Sequence, residues 1–388
     1  MKIINNLFLS LAFLSLFACS EHKNTDTKIN TSKQVTKTPE VKVNRSLTSI
    51  ANFFGGISTN SSDSLIPSDI KAQWKKFNKE MNAIYSRIDE KKKTITNWKN
   101  KNITIKSGTL FYPFSGPDFL HANIFFPNYD TIIMIGLEPT GNSKINISNY
   151  TTPDAFNKIS KSLTTILNQS FFRTKSMAID FKSENLNGTL PIFLHFISRN
   201  QFSIQSINDV QLNSKGELIP LSNKEKNSSL YSGIKYTLIK NNKLKHVYFF
   251  SMNLMNTDYS GRLGLKNHEE VGLLIKHKNI SSTYLKAASY LLHRNEFSIL
   301  RNLILNNSKQ IVQDDSGIPT KYINDSIKWS TKYFGTYIKP IPLFNERFQP
   351  DLFDVYNKKQ NEILSLPFGI GYKSQEGTSN MSISIKLK

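Results

Sequence analysis

The sequence predicts an α+β protein with a single large domain, in which a mixed, mainly antiparallel sheet is flanked by helices and preceded by one long amphipathic helix. Three observations support this prediction. Apolar residues recur at helical spacing over residues 70–98, strand-like and helix-like stretches then follow in mixed order, and the strand-like stretches 230–240 and 244–255 flank "NNK" as in a hairpin. Mixed order with a hairpin favours this class over a doubly wound parallel sheet.

The long helix is predicted over residues 68–100, with Ser68 as its N-cap after Pro67. Its apolar residues follow spacings of three and four, and most of its charged residues lie off that stripe. The stripe could be a coiled-coil seam, but Trp74 and Phe77 fit poorly as repeated seam residues. We therefore expect the helix to pack along its own domain. The alternative is a structural protein that pairs through this helix.

The remaining elements follow from apolar spacing and turn residues. Strands are predicted near residues 109–113, 130–137, 202–212, 230–240, 244–255, 333–341, 367–373 and 380–387. Helices are predicted near residues 117–126, 153–171, 189–198, 268–278, 282–293, 295–306 and 350–360.

The chain carries a formal net charge of +21, from 50 basic and 29 acidic residues. Such an excess can indicate nucleic acid or an anionic membrane as a partner. Only eight of the basic residues are Arg, whereas a surface that binds phosphates is expected to be rich in Arg, whose guanidinium matches phosphate geometry. We therefore expect no nucleic-acid partner, and weak attraction to anionic lipid or envelope polymer stays open.

The first residues have the pattern of an export signal. One charge, Lys2, precedes the apolar run "LFLSLAFLSLF" at residues 7–17. This run is about half of the roughly 20 residues that a membrane-spanning helix needs, and no later run is long enough either. It leads into "LFAC", which ends at Cys19, the only cysteine of the chain, so the body is expected to have no disulfide.

The string "LFAC" resembles the lipobox of bacterial lipoproteins, and this resemblance covers residues 1–20 only. It implies that Cys19 becomes the acylated N-terminus, held in the lipid bilayer, once residues 1–18 are removed. Ser20, where an Asp would imply retention in the inner membrane, implies the outer membrane of the cell envelope. Phe17 is larger than this family usually has there. Cleavage after Ser20 by an ordinary leader peptidase, giving a soluble protein, is the alternative.

The sequence accordingly divides into four parts. Residues 1–18 are the predicted signal peptide, 19–46 the acylated cysteine with a flexible tether, 47–102 the long-helix region, and 103–388 the globular α+β body. The tether lacks aromatic residues and is rich in Lys and Thr, so it cannot bury enough apolar surface to fold alone.

Standard catalytic strings are absent from the sequence. It contains no G-x-S-x-G, no H-E-x-x-H and no Walker A loop, and "GIGYKS" from Gly369 is an incomplete G-x-G-x-x-G. The S-x-x-K strings at Ser68 and Ser232 lie at a predicted helix start and in a predicted strand. No cofactor is predicted.

The first candidate site lies in "YPFSGPDFLH", residues 112–121. Ser115 can cap a helix, Asp118 suits its first turn, and His121 lies three residues on, on the same helix face. Asp118 and His121 could be two metal ligands or a base oriented by an acid. They could equally be a helix cap and a packed histidine, so the string is also interpreted as a strand-to-helix corner.

The second candidate site lies in "QDDSGIP", where Asp314 and Asp315 are adjacent. These carboxylates could bind a cation or supply a general base, but Asp, Ser and Gly also favour a turn. Glu138, in "GLEPTG" at the end of an apolar strand, is a third candidate, because strand-end loops often carry sites. Whether a metal is bound stays open.

Besides a structural lipoprotein that pairs through the long helix, two functions remain from these observations. The preferred hypothesis is a membrane-tethered envelope lipoprotein whose domain binds an envelope glycan, lipid or protein. The alternative is a lipid-anchored hydrolase in which Asp118, His121, Glu138, Asp314 and Asp315 converge, with or without a metal, since catalysis requires these groups near a common point. The sequence does not decide whether the protein is an enzyme.

If residues 20–46 form a tether, limited proteolysis of the native protein should release a body that begins near Ser46, because an unfolded segment is the preferred site of cleavage. N-terminal sequencing of the stable fragment tests this. Resistance of residues 20–46 under conditions that cut an unfolded control protein would contradict the prediction.

Overall fold

The structure, a computed structural model, describes residues 41–169, 187–221, 231–256, 269–373 and 378–387. The predicted signal peptide and residues 19–40 of the predicted tether lie outside these residues. Residues Val41–Lys388 form one unit. Its first contact with the sheet is a hydrogen bond of 2.8 Å from the amide of Asn44 to the carbonyl of Ile204.

One sheet of ten strands organises the described residues. In chain order, the strands are β1 (Gly108–Tyr112), β2 (Tyr129–Gly136), β3 (Ser203–Leu212), β4 (Leu218–Pro220), β5 (Tyr231–Lys240), β6 (Lys243–Ser251), β7 (Ile280–Leu285), β8 (Gln310–Gln313), β9 (Trp329–Gly335) and β10 (Asn380–Lys386). Their order across the sheet is β4-β3-β5-β6-β2-β1-β7-β8-β10-β9.

The sheet is mixed, with a parallel centre and antiparallel margins. The neighbours β6, β2, β1, β7 and β8 run parallel to one another. The other five of the nine strand pairs are antiparallel, including the hairpin of β5 and β6. The predicted α+β class with a mainly antiparallel mixed sheet is confirmed. The parallel centre was not predicted from the sequence.

Helices pack on both faces of this sheet. The α-helices are α1 (Arg45–Gly55), α2 (Asn60–Asp63), α3 (Lys71–Asn102), α4 (Phe119–Phe125), α5 (Pro153–Gln169), α6 (Leu190–Arg199), α7 (Glu269–His277), α8 (Ser298–Asn307) and α9 (Pro350–Lys358). One apolar core joins α1, α3, α4, α5 and α6 to one sheet face, and a second joins α7 and α8 to the other. None of the helices described is long and apolar enough to cross a membrane.

Helix α3 is the predicted long amphipathic helix. It begins at Lys71, after a 3-10 turn at Ser68–Ile70 that has no side-chain cap, so the prediction of Ser68 as its N-cap was wrong. Its apolar stripe lies in the core: Phe77 is 3% exposed and its ring meets that of Phe156 edge to face, with centroids 5.6 Å apart. The stripe therefore packs along its own domain, as predicted, and is not exposed as a seam.

Three predicted elements were wrong. The strand predicted over residues 333–341 lies instead at Trp329–Gly335, and residues 336–341 are irregular. The stretch predicted as a helix over residues 282–293 forms strand β7 and then a 3-10 helix at Ala287–His293, because β7 pairs with β1 and β8 on its two sides. The stretch predicted as a strand over 367–373 is irregular and ends in a 3-10 turn at Gly371–Lys373. Short apolar runs do not distinguish a buried strand from a helix, since both bury the same residues.

The burial of Phe77 generates a stability prediction. Phe77→Ala should lower the free energy of unfolding by about 3–5 kcal/mol, because it removes a buried ring from a packed core. The control is Lys75→Ala, an exposed position of the same helix. Urea unfolding measures both. If Phe77→Asp instead dissociates a dimer with no loss of stability, the packing described here does not hold in solution.

Candidate functional site

The loops after β1 and β7 meet at a topological switch point of the parallel centre. From β1 the chain passes through α4 to β2 on one side, and from β7 it passes through α8 to β8 on the other. Helices α4 and α8 belong to cores on opposite sheet faces, so the two crossovers diverge between β1 and β7. The carboxyl ends of parallel strands at such a switch point are where α/β sheets commonly bind ligands.

The string "YPFSGPDFLH" forms the corner between β1 and α4. The amide of Ser115 donates to the carbonyl of Ile135 on β2 at 2.9 Å, and Phe114 and Gly116 turn the chain with φ of 56° and 52°. Asp118, rather than Ser115, is the N-cap of α4, since its Oδ1 accepts from the amide of His121 at 3.2 Å. The string is thus the predicted strand-to-helix corner.

The carboxylate of Asp118 is the centre of a buried polar group. It accepts hydrogen bonds from Lys286 Nζ at 2.6 Å and Tyr112 Oη at 2.9 Å, and its Oδ1 lies 2.8 Å from His121 Nδ1. We call Tyr112, Asp118, His121 and Lys286 the switch-point cluster. Burial by itself raises the pKa of Asp118, but the charges and hydrogen bonds of His121 and Lys286 outweigh it and hold this pKa well below its usual range.

His121 is the member of the cluster that reaches the surface, with a side chain 15% exposed. Burial lowers its pKa despite the opposing effect of Asp118, and Lys286 Nζ, 3.2 Å from Nδ1, lowers it further. We therefore assign a neutral ring near pH 7 that donates from Nδ1 to Asp118. Nε2 then carries the lone pair, and no residue in the described ranges hydrogen-bonds to it.

Asp314 and Asp315 follow the end of β8 and hold a turn. Asp314 accepts from the amide and hydroxyl of Ser316 and, at 3.2 Å, from the amide of Ala287. Burial and the charge of Asp315 raise the pKa of Asp314 to about 6. Asp315 accepts from Tyr290 Oη and from Asn380 Nδ2. These carboxylates form the predicted turn with a glycine after it.

Gly371, in "GIGYKS", lies next to both Asp314 and Lys286. It has φ of +59°, and a side chain there would collide with Asp314 Oδ2 and approach Lys286 Cγ. Gly371 thus packs against both Asp314 and the stem of Lys286. The second glycine of the incomplete motif is needed for this close packing.

Glu138 lies apart from these hydrogen bonds. It follows β2, and a Cβ added to Gly116 would lie 3.3 Å from its Oε1. The carboxyl is buried, no described side chain donates a hydrogen bond to it, and burial raises its pKa against the opposing effect of the amides of Glu138 and Leu137. Glu138 therefore adjoins the corner without joining the switch-point cluster.

The candidate residues thus meet only in part. Asp118 and His121 are in direct contact, Asp314 and Asp315 form a second group that accepts from the amide of Ala287, and Glu138 is separate. Among the residues that the structure describes, no three His, Cys, Asp or Glu side chains are grouped to hold a metal ion.

Sequence reasoning missed Lys286 and Tyr112. For Tyr112 the available signal was its position in a predicted strand that leads into a corner, whereas Lys286 lay in a stretch predicted as a helix and carried no such signal.

Comparison with known proteins gives no relative: no family model matches the chain, and no curated protein or solved structure is similar to it.

The ion pair of Lys286 and Asp118 generates a mutational prediction. Lys286→Met should lower the free energy of unfolding by about 3–5 kcal/mol, because it leaves the Asp118 carboxylate buried without its cation. The double variant Lys286→Met/Asp118→Asn should recover part of this loss, since the uncompensated charge is then gone. Urea unfolding of the two variants is the measurement. Equal stabilities would contradict a strong interaction between the two residues.

The depressed pKa of Asp118 generates a pH prediction. Its contribution to stability is present above the unfolded-state pKa of about 3.9 and is lost as the pH falls toward the lower folded-state pKa. The free energy of unfolding should therefore fall more steeply below about pH 5 in the wild type than in Asp118→Asn. Urea unfolding over a pH series checks this, and parallel curves would refute it.

Proposed function

We propose that the protein is a membrane-tethered lipoprotein of the cell envelope, in the outer membrane, whose body binds another envelope component. The proposal of a binding function, rather than a catalytic one, rests on the state of the candidate catalytic carboxylates. Asp118, Asp314 and Asp315 each accept hydrogen bonds from two or more groups of the same body. Groups held in this way stabilise loops and are poorly available to a substrate.

The membrane half of the proposal rests on the first residues of the sequence. The apolar run before "LFAC" suits an export signal, and Cys19 suits acylation by its resemblance to a lipobox residue. More than one acyl chain at Cys19 would hold the protein firmly, because a single buried chain gives only marginal binding.

Acylation of Cys19 is tested by metabolic labelling. In cells expressing the full chain, the wild type should incorporate labelled palmitate, and Cys19→Ala should lose all of it, because the thiol and the processed N-terminus are both gone. Ser20→Asp is the matched variant: it should keep the label and shift the protein toward the inner membrane in a density gradient. Unchanged labelling of Cys19→Ala would refute the anchor.

The alternative is a lipid-anchored envelope hydrolase, and one observation favours it. His121 Nδ1 lies 2.8 Å from Asp118 at the switch point, and the side chain is 15% exposed, so Nε2 is not engaged by Asp118 and could act as a general base. In this reading Asp118 holds the ring orientation and Lys286 keeps the ring neutral. Tyr112 positions the carboxylate from the opposite side.

Hydrolysis of a p-nitrophenyl ester separates the two functions. The hydrolase predicts a rate that rises with pH as His121 loses its proton and that falls at least about 100-fold in His121→Gln, in line with the loss of a general base. The binding function predicts that wild type and His121→Gln give the same background rate. His277→Gln, on α7 and outside the cluster, controls for nonspecific imidazole reaction.

A further inference from the structure

A large groove lies at the other end of the sheet from β4, beside strand β9. It has a volume of about 1120 Å³ and is formed by residues 335–338, the end of α9 with Gln360, residues 363–369, and residues 378–379. Pockets for drug-sized molecules are about 300–1,000 Å³, so this groove has room for a chain of several rings. None of the switch-point cluster lines it.

The described residues that line the groove are uncharged. These sixteen residues include no Lys, Arg, Asp or Glu, in a chain whose formal charge is +21. Asn357 and Gln360 place exposed amides there, each of which can donate and accept hydrogen bonds. Ile338, 64% exposed, and Leu364, 43% exposed, add apolar surface.

The floor of the groove is held in place by buried tyrosines. Tyr356 Oη donates to the carbonyl of Phe334 at 2.8 Å, and Tyr337 Oη accepts from the amide of Gln349 at 3.1 Å. Gly335, with φ of +79°, lets β9 pass close to the carbonyl of Ser379, where a side chain would collide. A floor fixed in this way loses little conformational entropy when a ligand binds.

This lining selects against several classes of ligand. An ionic polymer would lose water without gaining a countercharge, which is costly. An extended peptide would need the free edge of β9, but Leu364 already exchanges hydrogen bonds of 2.9 Å with Gly335 and Tyr333 there. An acyl chain would leave the amides and the hydroxyls of Thr336 and Ser365 without partners.

We propose that this groove binds an uncharged sugar chain. Sugar hydroxyls both donate and accept, which matches the amides of Asn357 and Gln360, and the C–H faces of sugar rings suit Ile338 and Leu364. The inference rests on the proposed function, because it names the envelope component that the body binds and the place where it binds.

Calorimetric titration with chitohexaose, an uncharged N-acetylated sugar chain, and with cellohexaose tests the proposal. The full chain is used in a detergent without a sugar headgroup, which would otherwise compete. The variant Asn357→Ala/Gln360→Ala should bind at least about tenfold more weakly, since both exposed amides lose their hydrogen bonds to the ligand. The matched control is Asn361→Ala, an exposed amide directly after Gln360 in the sequence that does not line the groove.

Binding of either sugar that is weakened in the double variant and kept in Asn361→Ala supports the proposal. Failure of both sugars to bind the folded wild type overturns it, as does binding that the double variant leaves unchanged. These results are independent of palmitate labelling. A protein that is acylated and binds no sugar refutes the groove alone, whereas a protein that binds sugar without acylation refutes the anchor alone.

Discussion

The ion pair between Lys286 and Asp118 joins the two halves of the parallel centre. Asp118 follows β1 and caps α4 on one sheet face, while Lys286 follows β7, whose crossover helix α8 packs on the other face. Both charges are almost fully buried, so each depends on the other for the interactions that water would otherwise provide. The ion pair therefore adds a buried polar contact to the pairing of β1 with β7, and it ties the corner at residues 112–121 and the start of α4 to the exit from β7.

This contact also limits what the polar residues can do. A carboxylate that caps a helix, pairs with Lys286 and accepts from Tyr112 has little capacity left for a ligand. Asp314 is engaged in the same way by its own turn and by the amide of Ala287. His121 differs, because its Nδ1 faces inward while part of the ring reaches the surface. The hydrolase alternative therefore depends on His121 and needs no other acid–base group of the cluster to be free.

The proposed sugar-binding groove is chemically the opposite of this cluster. The cluster is charged, buried and mutually satisfied, whereas the groove is uncharged, wide and lined by exposed amides and apolar side chains. Separation of the two is consistent with a body in which buried charges stabilise the loops of the sheet and neutral surface binds a partner. The excess of Lys lies outside the groove, where it remains compatible with a negatively charged envelope surface.

Local patterns in the sequence determined much of the fold. Periodicity specified α3 and its buried face, alternation and the "NNK" turn specified the β5–β6 hairpin, and turn residues specified the corner before α4, because each depends on neighbours in the chain. The sequence also provided the lipobox-like string and therefore the predicted anchor.

Tertiary structure alone decided strand order, the parallel centre and the partners of each candidate residue. Strand β7 was predicted as a helix because its apolar residues fit either period, and pairing with β1 and β8 decided between them. Asp118 and His121 could be predicted as neighbours from their spacing of three. Lys286, 168 residues away from Asp118, could not, because the burial that pairs them exists only after the sheet has formed.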